Sequence, residues 1–467
     1  MKMWSGRFRQ PLDPEFERWQ RSFGFDRRLL KHELAASSAH AHALKNAGIL
    51  SADELISMLQ GLEQIGERAA SSPSFLDDEE AEDVHHFVEK QLVSLIGEAG
   101  YKLHSGRSRN EQIATDLRLY VRETIDQLRH DLAGLCEVVA DRAEQAADRA
   151  MPAYTHLQKA EPVLVGHWLL AYVEMFLRDA DRLADCRKRL NVCPLGSGAV
   201  AGATLPLDRG FMAASLGFDT PTGNSIDATS DRDFALEFVN ALSMLALHLS
   251  RWAEEMILFS SQEYKFLELP EAYSTGSSAM PQKKNPDLLE LVRGKTGRVL
   301  GNANALMVAM KGLPLAYNKD LQESQEPLFD ASDTLLRMLP LVTGWVKAVE
   351  FNYDNMQQAA QSGFTNAWAA ATYLVNRGVP SRLAHERIGK AVQMCIEKDC
   401  ELEDLSVDEL RSLSPAFGAD FIESLKLASV LAVHDVPGGT APVRVRQAIH
   451  AVRSKIASLR EEVHAHA

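Results

Sequence analysis

Apolar residues recur at steps of three and four along most of the chain. From about 109 to 150 the stripe runs Ile113, Leu117, Val121, Ile125, Leu128, Leu132, Leu135 and Val139, which is one face of an α-helix. Roughly 40 residues at 1.5 Å each predict a helix about 60 Å long, and so long a stripe needs partner helices. Met151-Pro152 is its expected end. The same reading predicts helices over 28–47, 162–190, 231–262, 286–311 and 326–350. Ser51-Ala52-Asp53-Glu54 has the hydroxyl cap and first-turn acids of a helix start. Ser230 with Asp233, and Leu405-Ser406-Val407-Asp408-Glu409-Leu410, read as further starts. The 286–311 pattern, with Leu288, Leu289, Val292, Leu300, Ala305 and Val308, is apolar on most faces and predicts burial on several sides. Residues 191–225, rich in Gly, Ala, Thr and Pro, are expected to be irregular with short helices. Gly196 and Gly198 do not make a dinucleotide fingerprint, since no strand is expected before them. The chain therefore reads as all-α, with an N-terminal helical domain (1–106), a central bundle of long helices (107–359) and a smaller C-terminal helical domain (360–467).

Composition narrows the function classes. The chain has 467 residues, 46% of them hydrophobic, enough for two or three domains with a large core. A net charge of −14 argues against general nucleic-acid binding, while leaving room for a locally cationic site. The five cysteines, Cys136, Cys186, Cys193, Cys395 and Cys400, contain no Cys-x-x-Cys spacing. Such a set suggests reduced thiols in the cytoplasm. Cys395 and Cys400, five apart, are expected on different sides of a helix. The first residues lack the apolar run of a signal peptide, and no stretch reaches the ~20 apolar residues of a membrane span. No metal-ligand spacing is present, and His85 and His86 are too close to share one helix face.

Three stretches carry candidate chemistry. Residues 273–287 place the hydroxyls of Ser274, Thr275, Ser277 and Ser278 around Gly276, then Lys283 and Lys284, then Asn285-Pro286 before an apolar helix. Asn285 suits an N-cap and Pro286 the first helical position, so this mobile loop can hold an anion. A solvated connection fits the same residue types. His104-Ser105-Gly106-Arg107-Ser108-Arg109-Asn110 offers arginine forks and an amide for carboxylates, or equally a solvated helix start. Tyr154-Thr155-His156-Leu157-Gln158 is a loop between long helices, bracketed by Pro152 and Pro162, where a histidine can be held in one tautomer.

Taken together these stretches resemble a known family. Gly276-Ser277-Ser278-Ala279-Met280-Pro281-Gln282-Lys283-Lys284-Asn285-Pro286 resembles the signature loop of the fumarase/aspartase superfamily, and its Gln-Lys-Lys-Asn-Pro-Asp ending is the form of the argininosuccinate lyases. His104–Asn110, Thr155–Gln158, Tyr317–Glu323, the Glu82–His85 segment and Trp4-Ser5-Gly6-Arg7-Phe8 are similar to the same family. The chain departs from it at Glu111 (usually Asp), Glu161 (usually Gln) and Gln325 (usually Lys).

The resemblance implies a three-domain fumarase/aspartase-like fold with a long central helical bundle. It implies cleavage of argininosuccinate to arginine and fumarate, in arginine biosynthesis, with no cofactor. By the family pattern Ser277 is the base and His156 the other acid/base group, oriented by Glu290, with Lys283 beside Ser277. Ser22, Arg107, Asn110, Thr155, Gln158, Asn285, Tyr317 and Gln322 bind substrate, and Arg109 lies at or behind the site. A cytoplasmic homotetramer is implied, with active sites shared between subunits and neither nucleic acid nor membrane as partner. The alternatives are a lyase of the adenylosuccinate lyase or fumarase type and a non-catalytic, crystallin-like protein.

Overall fold

The computed structural model describes residues 10–466; the Trp4–Phe8 string lies outside them. The chain is helical and divides into two compact units. One comprises the residues up to Leu128, Asp181–Met244 and Gly297–Leu336; the other comprises Arg129–Ala180, Leu245–Thr296 and the residues from Arg337 on.

In the first unit the helices Leu30–Asn46, Ala52–Ser71 and Val84–Ile96 follow one another. Ser51 and Glu54 form the reciprocal capping box expected of them, and the Asp83 side chain caps Val84–Ile96 by accepting the His86 amide. Ala36, Ala39 and Ala43 pack with Leu119, Leu195, Met212 and Phe218 in one buried cluster. Small alanines let these elements approach closely.

The long helix is Arg109–Gln145, 37 residues, or about 55 Å. Every member of its apolar stripe from Ile113 to Val139 is buried. It stops before Met151-Pro152, because Ala150–Thr155 is a strand. That strand pairs antiparallel with Gln158–Leu164, so the expected loop at 154–162 is a β-hairpin. Alternation was hidden there by prolines at 152 and 162, which face each other in the ladder. The following helix is Val165–Leu190.

Three other expectations are corrected. Ser230 ends the short helix Ser225–Ser230 and donates back to the Ile226 and Asp227 carbonyls. The helix Asp233–Ser260 is instead approached by Asp231, whose carboxylate accepts the Asp233 amide at 2.7 Å. Asn285 is not a cap: it pairs with Thr275 in a two-residue ladder, and the helix begins at Asp287. A two-residue strand, Val192–Cys193, does precede Gly196, but turns rather than a helix follow, so no dinucleotide fold arises.

The helix Asp287–Met310 is buried on one side only. Leu289, Val292, Val299, Ala303 and Leu306 are covered, whereas Leu291, Leu300, Met307 and Val308 are 43–57% exposed. Among the described residues nothing covers these apolar side chains fully.

The C-terminal part of the second unit has its own core, in which Leu374, Ile388, Phe417 and Phe421 are buried together. Ser406 and Glu409 cap Val407–Leu413 reciprocally. Cys395 and Cys400 come together rather than apart: Asp399 takes a left-handed backbone, φ 52°, and the Cys400 amide returns to the Cys395 carbonyl at 3.0 Å. All five cysteines are free thiols.

Candidate active site

In the first unit, Ser22, Asn110, Tyr317 and Gln322 all line one cavity of about 190 Å³, together with Asp26, Glu82, Asp83, His85, Arg109 and Gln325. These residues come from four stretches of chain, 22–26, 82–85, 109–110 and 317–325. Ser22 donates to Asp26 at 2.6 Å, and its own amide bonds the Glu82 carbonyl at 2.9 Å. Gln322 reaches the Gln20 carbonyl at 3.1 Å. Asn110 Nδ2 donates to the Ala199 carbonyl at 3.3 Å.

Arg109 binds Asp83 at 3.0 Å and Glu82 at 3.2 Å. Its Nε and Nη2 are buried and unpaired among the described residues. Arg107 does not line the cavity. It is buried behind it, donating to Ser37 at 2.9 Å and lying 3.6 Å from Glu33. Beside it His85 donates to Asp116 at 3.0 Å, with Glu33 and Asp83 at 3.7 and 3.8 Å. Burial disfavours the charged ring, yet the surrounding carboxylates win and raise the His85 pKa well above its ordinary value. Burial first, then the Asp83 charge, pushes Asp26 up to about 7. Glu33, His85 and Asp116 also bring ligand atoms within 4.8 Å of one another, but the imidazolium and Arg107 supply the balancing charge.

The family departures have visible neighbours. Glu111 is fully buried and accepts the Ser108 amide at 3.1 Å and the Gly198 amide at 2.8 Å. Its extra methylene spans the arginine motif and the glycine turn. Gly198 must be glycine, since its φ is 62° and a Cβ would meet the Gly202 carbonyl oxygen at 2.8 Å. Gln325 is buried in the cavity wall, and its Oε1 has no hydrogen-bond partner among the described residues. Glu161 lies 3.6 Å from the His434 ring.

In the second unit, Thr155, His156 and Gln158 sit exposed at the hairpin tip. His156 and Leu157 form its two-residue turn, with φ of 56° and 59°. Positive φ at both positions suits the twist of a tight hairpin, but non-glycine residues adopt it at a cost of about 1 kcal/mol each. The hairpin is over-determined elsewhere. Tyr154 packs on Tyr264, and Lys159 donates to the Ala359 carbonyl at 3.0 Å and Ser362 at 2.9 Å. Strain held this way is a mark of functional positions.

The signature stretch forms a second hairpin, Thr275–Gly276 against Lys284–Asn285. Asp287 fastens it, accepting the Thr275 hydroxyl at 2.7 Å and amide at 3.1 Å. Ser277 Oγ accepts two backbone amides, Met280 at 3.1 Å and Ala279 at 3.3 Å. Those donors favour an alkoxide. Lys283 and Glu290 are exposed; the nearest cation to Glu290 is Arg293 at 4.0 Å. Among the described residues the His156 ring makes no hydrogen bond, with Glu290 or any other group.

A family model described as lyase matches residues 6–301, and one described as argininosuccinate lyase C-terminal matches 364–432. The argininosuccinate lyase of Koribacter versatilis (strain Ellin345) is 58% identical over 464 residues, covering 99% of each chain. The chain belongs to the argininosuccinate lyase family. The argininosuccinate lyase of Heliobacterium mobile is 50% identical over 97% of this chain and 99% of its own. Among solved structures, EDDS lyase in complex with formate is similar at a TM-score of 0.86 and 28% identity, covering 97% of this chain and 92% of that one. Two of the stretches that resemble the family in sequence, His104–Asn110 and Tyr317–Glu323, contribute residues to the cavity above. Two cavity residues were not singled out in the sequence, Asp26 and Lys319. Asp26 stands one helical turn after Ser22, a spacing that places two side chains on one face.

Proposed function

We propose that this protein is an argininosuccinate lyase, eliminating fumarate from argininosuccinate and releasing arginine. The observation that carries the reading is the convergence of Ser22, Asn110, Tyr317 and Gln322 on one cavity. Fumarate formation from argininosuccinate by the purified protein tests it.

The reaction removes a weakly acidic proton from the carbon beside a carboxylate, and negative charge then builds on that carboxylate. Ser277 takes the proton. The Ala279 and Met280 amides hold its oxygen already, and closure of the loop over substrate would exclude water and strengthen them. Lys283 and Asn285 are the donors for the developing charge. His156 is the second acid/base group, serving the leaving nitrogen, with Glu290 as its orienting carboxylate. Thr155 and Gln158 flank it on the hairpin, and Arg107 and Arg109 support the cavity wall.

His156 is exposed and Ser277 partly exposed on their hairpins, and on the helix Asp287–Met310 Leu300, Met307 and Val308 are 43–55% exposed. Both features support a homotetramer whose subunits cover these faces and share active sites. No described helix is long and apolar enough to cross a membrane, and the free thiols support a cytoplasmic location. The separate core at 370–425 supports a C-terminal domain starting near 360, after a helical N-terminal domain (1–106) and a central domain (107–359).

A further inference from the structure

The helix Ser381–Lys398 ends in a turn that brings two thiols together. Asp399 is left-handed, and its amide bonds the Ile396 carbonyl at 3.4 Å. The next amide, that of Cys400, bonds the Cys395 carbonyl at 3.0 Å. In a helix ending with these two nested bonds, the side chain after the left-handed residue packs on the side chain whose carbonyl its amide has taken. Here those side chains are Cys400 and Cys395. Both belong to one hydrophobic cluster, with Cys395 buried in it and Cys400 half-buried against it. With N and O 3.0 Å apart, covalent geometry holds the two Cα atoms within about 7 Å, and the bend at each end of the bond brings them into the roughly 4.4–6.8 Å that a disulfide spans. Burial, then hydrogen bonding with the Cys400 thiol, push the Cys395 thiol up to about 12, which agrees with the contact.

We propose that Cys395 and Cys400 are a dithiol that closes to a disulfide under oxidation and staples the end of the helix Ser381–Lys398. The inference stands apart from the lyase reading. The step is exchange with a small-molecule disulfide such as oxidised glutathione. Cys400, the more accessible sulfur, attacks as its thiolate, forming a mixed disulfide and releasing one glutathione thiolate. Cys395 then gives up its proton and attacks the Cys400 sulfur, releasing the second. Both protein thiols are oxidised, the glutathione disulfide is reduced, and the two protons end on the two glutathione thiols.

The surroundings make closure slow but do not oppose it at equilibrium. Glu401 and Asp404 disfavour a Cys395 thiolate, Lys398 is engaged by Glu409, and the end of a helix is electronegative. Thiolate fraction governs the rate of exchange, whereas the equilibrium depends on how closely the fold holds the two sulfurs. Such a pair stays a dithiol in a reducing compartment and closes when the redox poise shifts. The staple closes beside Glu401, which accepts the Gly363 amide at 3.1 Å, and Glu403, which accepts the Asn366 amide group at 2.7 Å.

The test incubates the full-length protein at about pH 8 in mixtures of reduced and oxidised glutathione, then alkylates the remaining thiols. Intact mass and tryptic mapping read the product. In excess oxidised glutathione the protein should lose two hydrogens and keep Cys136, Cys186 and Cys193 free. Trypsin cuts after Lys398, so the peptides bearing Cys395 and Cys400 should stay joined until reduced. Closure should need about tenfold less oxidised glutathione in the folded protein than in the same protein unfolded in urea. Amide exchange over 396–404 should slow about fivefold or more on oxidation and recover on reduction. All five thiols free, glutathione left on Cys400 alone, or a link between two chains overturns the proposal. Equal closure in urea overturns the role of the turn, and unchanged exchange overturns the staple. Cys400→Ser should abolish the loss of two hydrogens, and its persistence there also overturns the pair. Should that variant not fold, the peptide map of the parent decides.

Discussion

Ser22 donates its hydroxyl hydrogen to Asp26 at 2.6 Å, and Asp26 accepts the Val84 amide at 3.0 Å through its other oxygen. One buried carboxylate thus joins the Ser22 turn to the helix carrying His85, and fixes the direction in which Ser22 faces the cavity. Ser22→Ala is expected to raise KM for argininosuccinate by roughly tenfold, the worth of one hydrogen bond to a polar ligand, with a smaller change in kcat. Steady-state rates check it; an unchanged KM would remove Ser22 from substrate binding.

Ser277 contributes little packing, being partly exposed on its hairpin. Ser277→Ala should keep the fold, read by circular dichroism and melting temperature, and lower turnover more than about 100-fold. Activity within a few-fold of the parent would assign the base elsewhere.

His40 is buried and its Nε2 lies 3.0 Å from the Ser105 carbonyl, beside the arginine motif. Burial, then the Arg107 charge, hold its pKa down at about 3. The unfolded chain, with a histidine near 6.5, therefore binds a proton that the folded chain does not. Stability from this group is present above pH 6.5 and falls as pH drops toward 3, by up to about 1.4 kcal/mol per pH unit. His104, held down to about 4 chiefly by burial, acts in the same direction. His85 has the opposite sign, its raised pKa giving stability below 6.5 that is lost as pH rises through its folded value. Melting temperatures from pH 7 to 4 should fall less steeply for His40→Gln than for the parent. Parallel curves would contradict the assignment.

Leu300 and Met307 are 43% and 46% exposed on the helix Asp287–Met310. Leu300→Asp/Met307→Asp should convert the proposed tetramer to smaller species, since each buried apolar side chain is worth about 2 kcal/mol and a buried unpaired carboxylate costs more. Light scattering after size-exclusion reads the mass. A double variant that remains tetrameric would place the interface elsewhere.

Much of this was legible in the residues because the signals were local. The capping boxes at Ser51 and Ser406, and the stripe from Ile113 to Val139, depend on spacing alone and appear where spacing puts them. The His156 hairpin was not legible, because its prolines mask the alternation of a strand and its turn uses histidine and leucine where glycine or asparagine would announce it. Ser230 and Asn285 look like caps, yet a competing partner took each: the end of the preceding helix, and the Thr275 ladder. Asp26 gained meaning only through a distant neighbour, Val84, whose amide it accepts and which no local pattern names. The motif around Ser277 marks a candidate base, but the two amides on its oxygen come from the turn of the folded hairpin, which the motif does not show.

The central claim is tested most directly by ultraviolet absorbance of fumarate formed from argininosuccinate and, separately, from adenylosuccinate. Turnover of argininosuccinate alone is the predicted result. Turnover of adenylosuccinate instead, or of neither by a folded protein, would contradict the account.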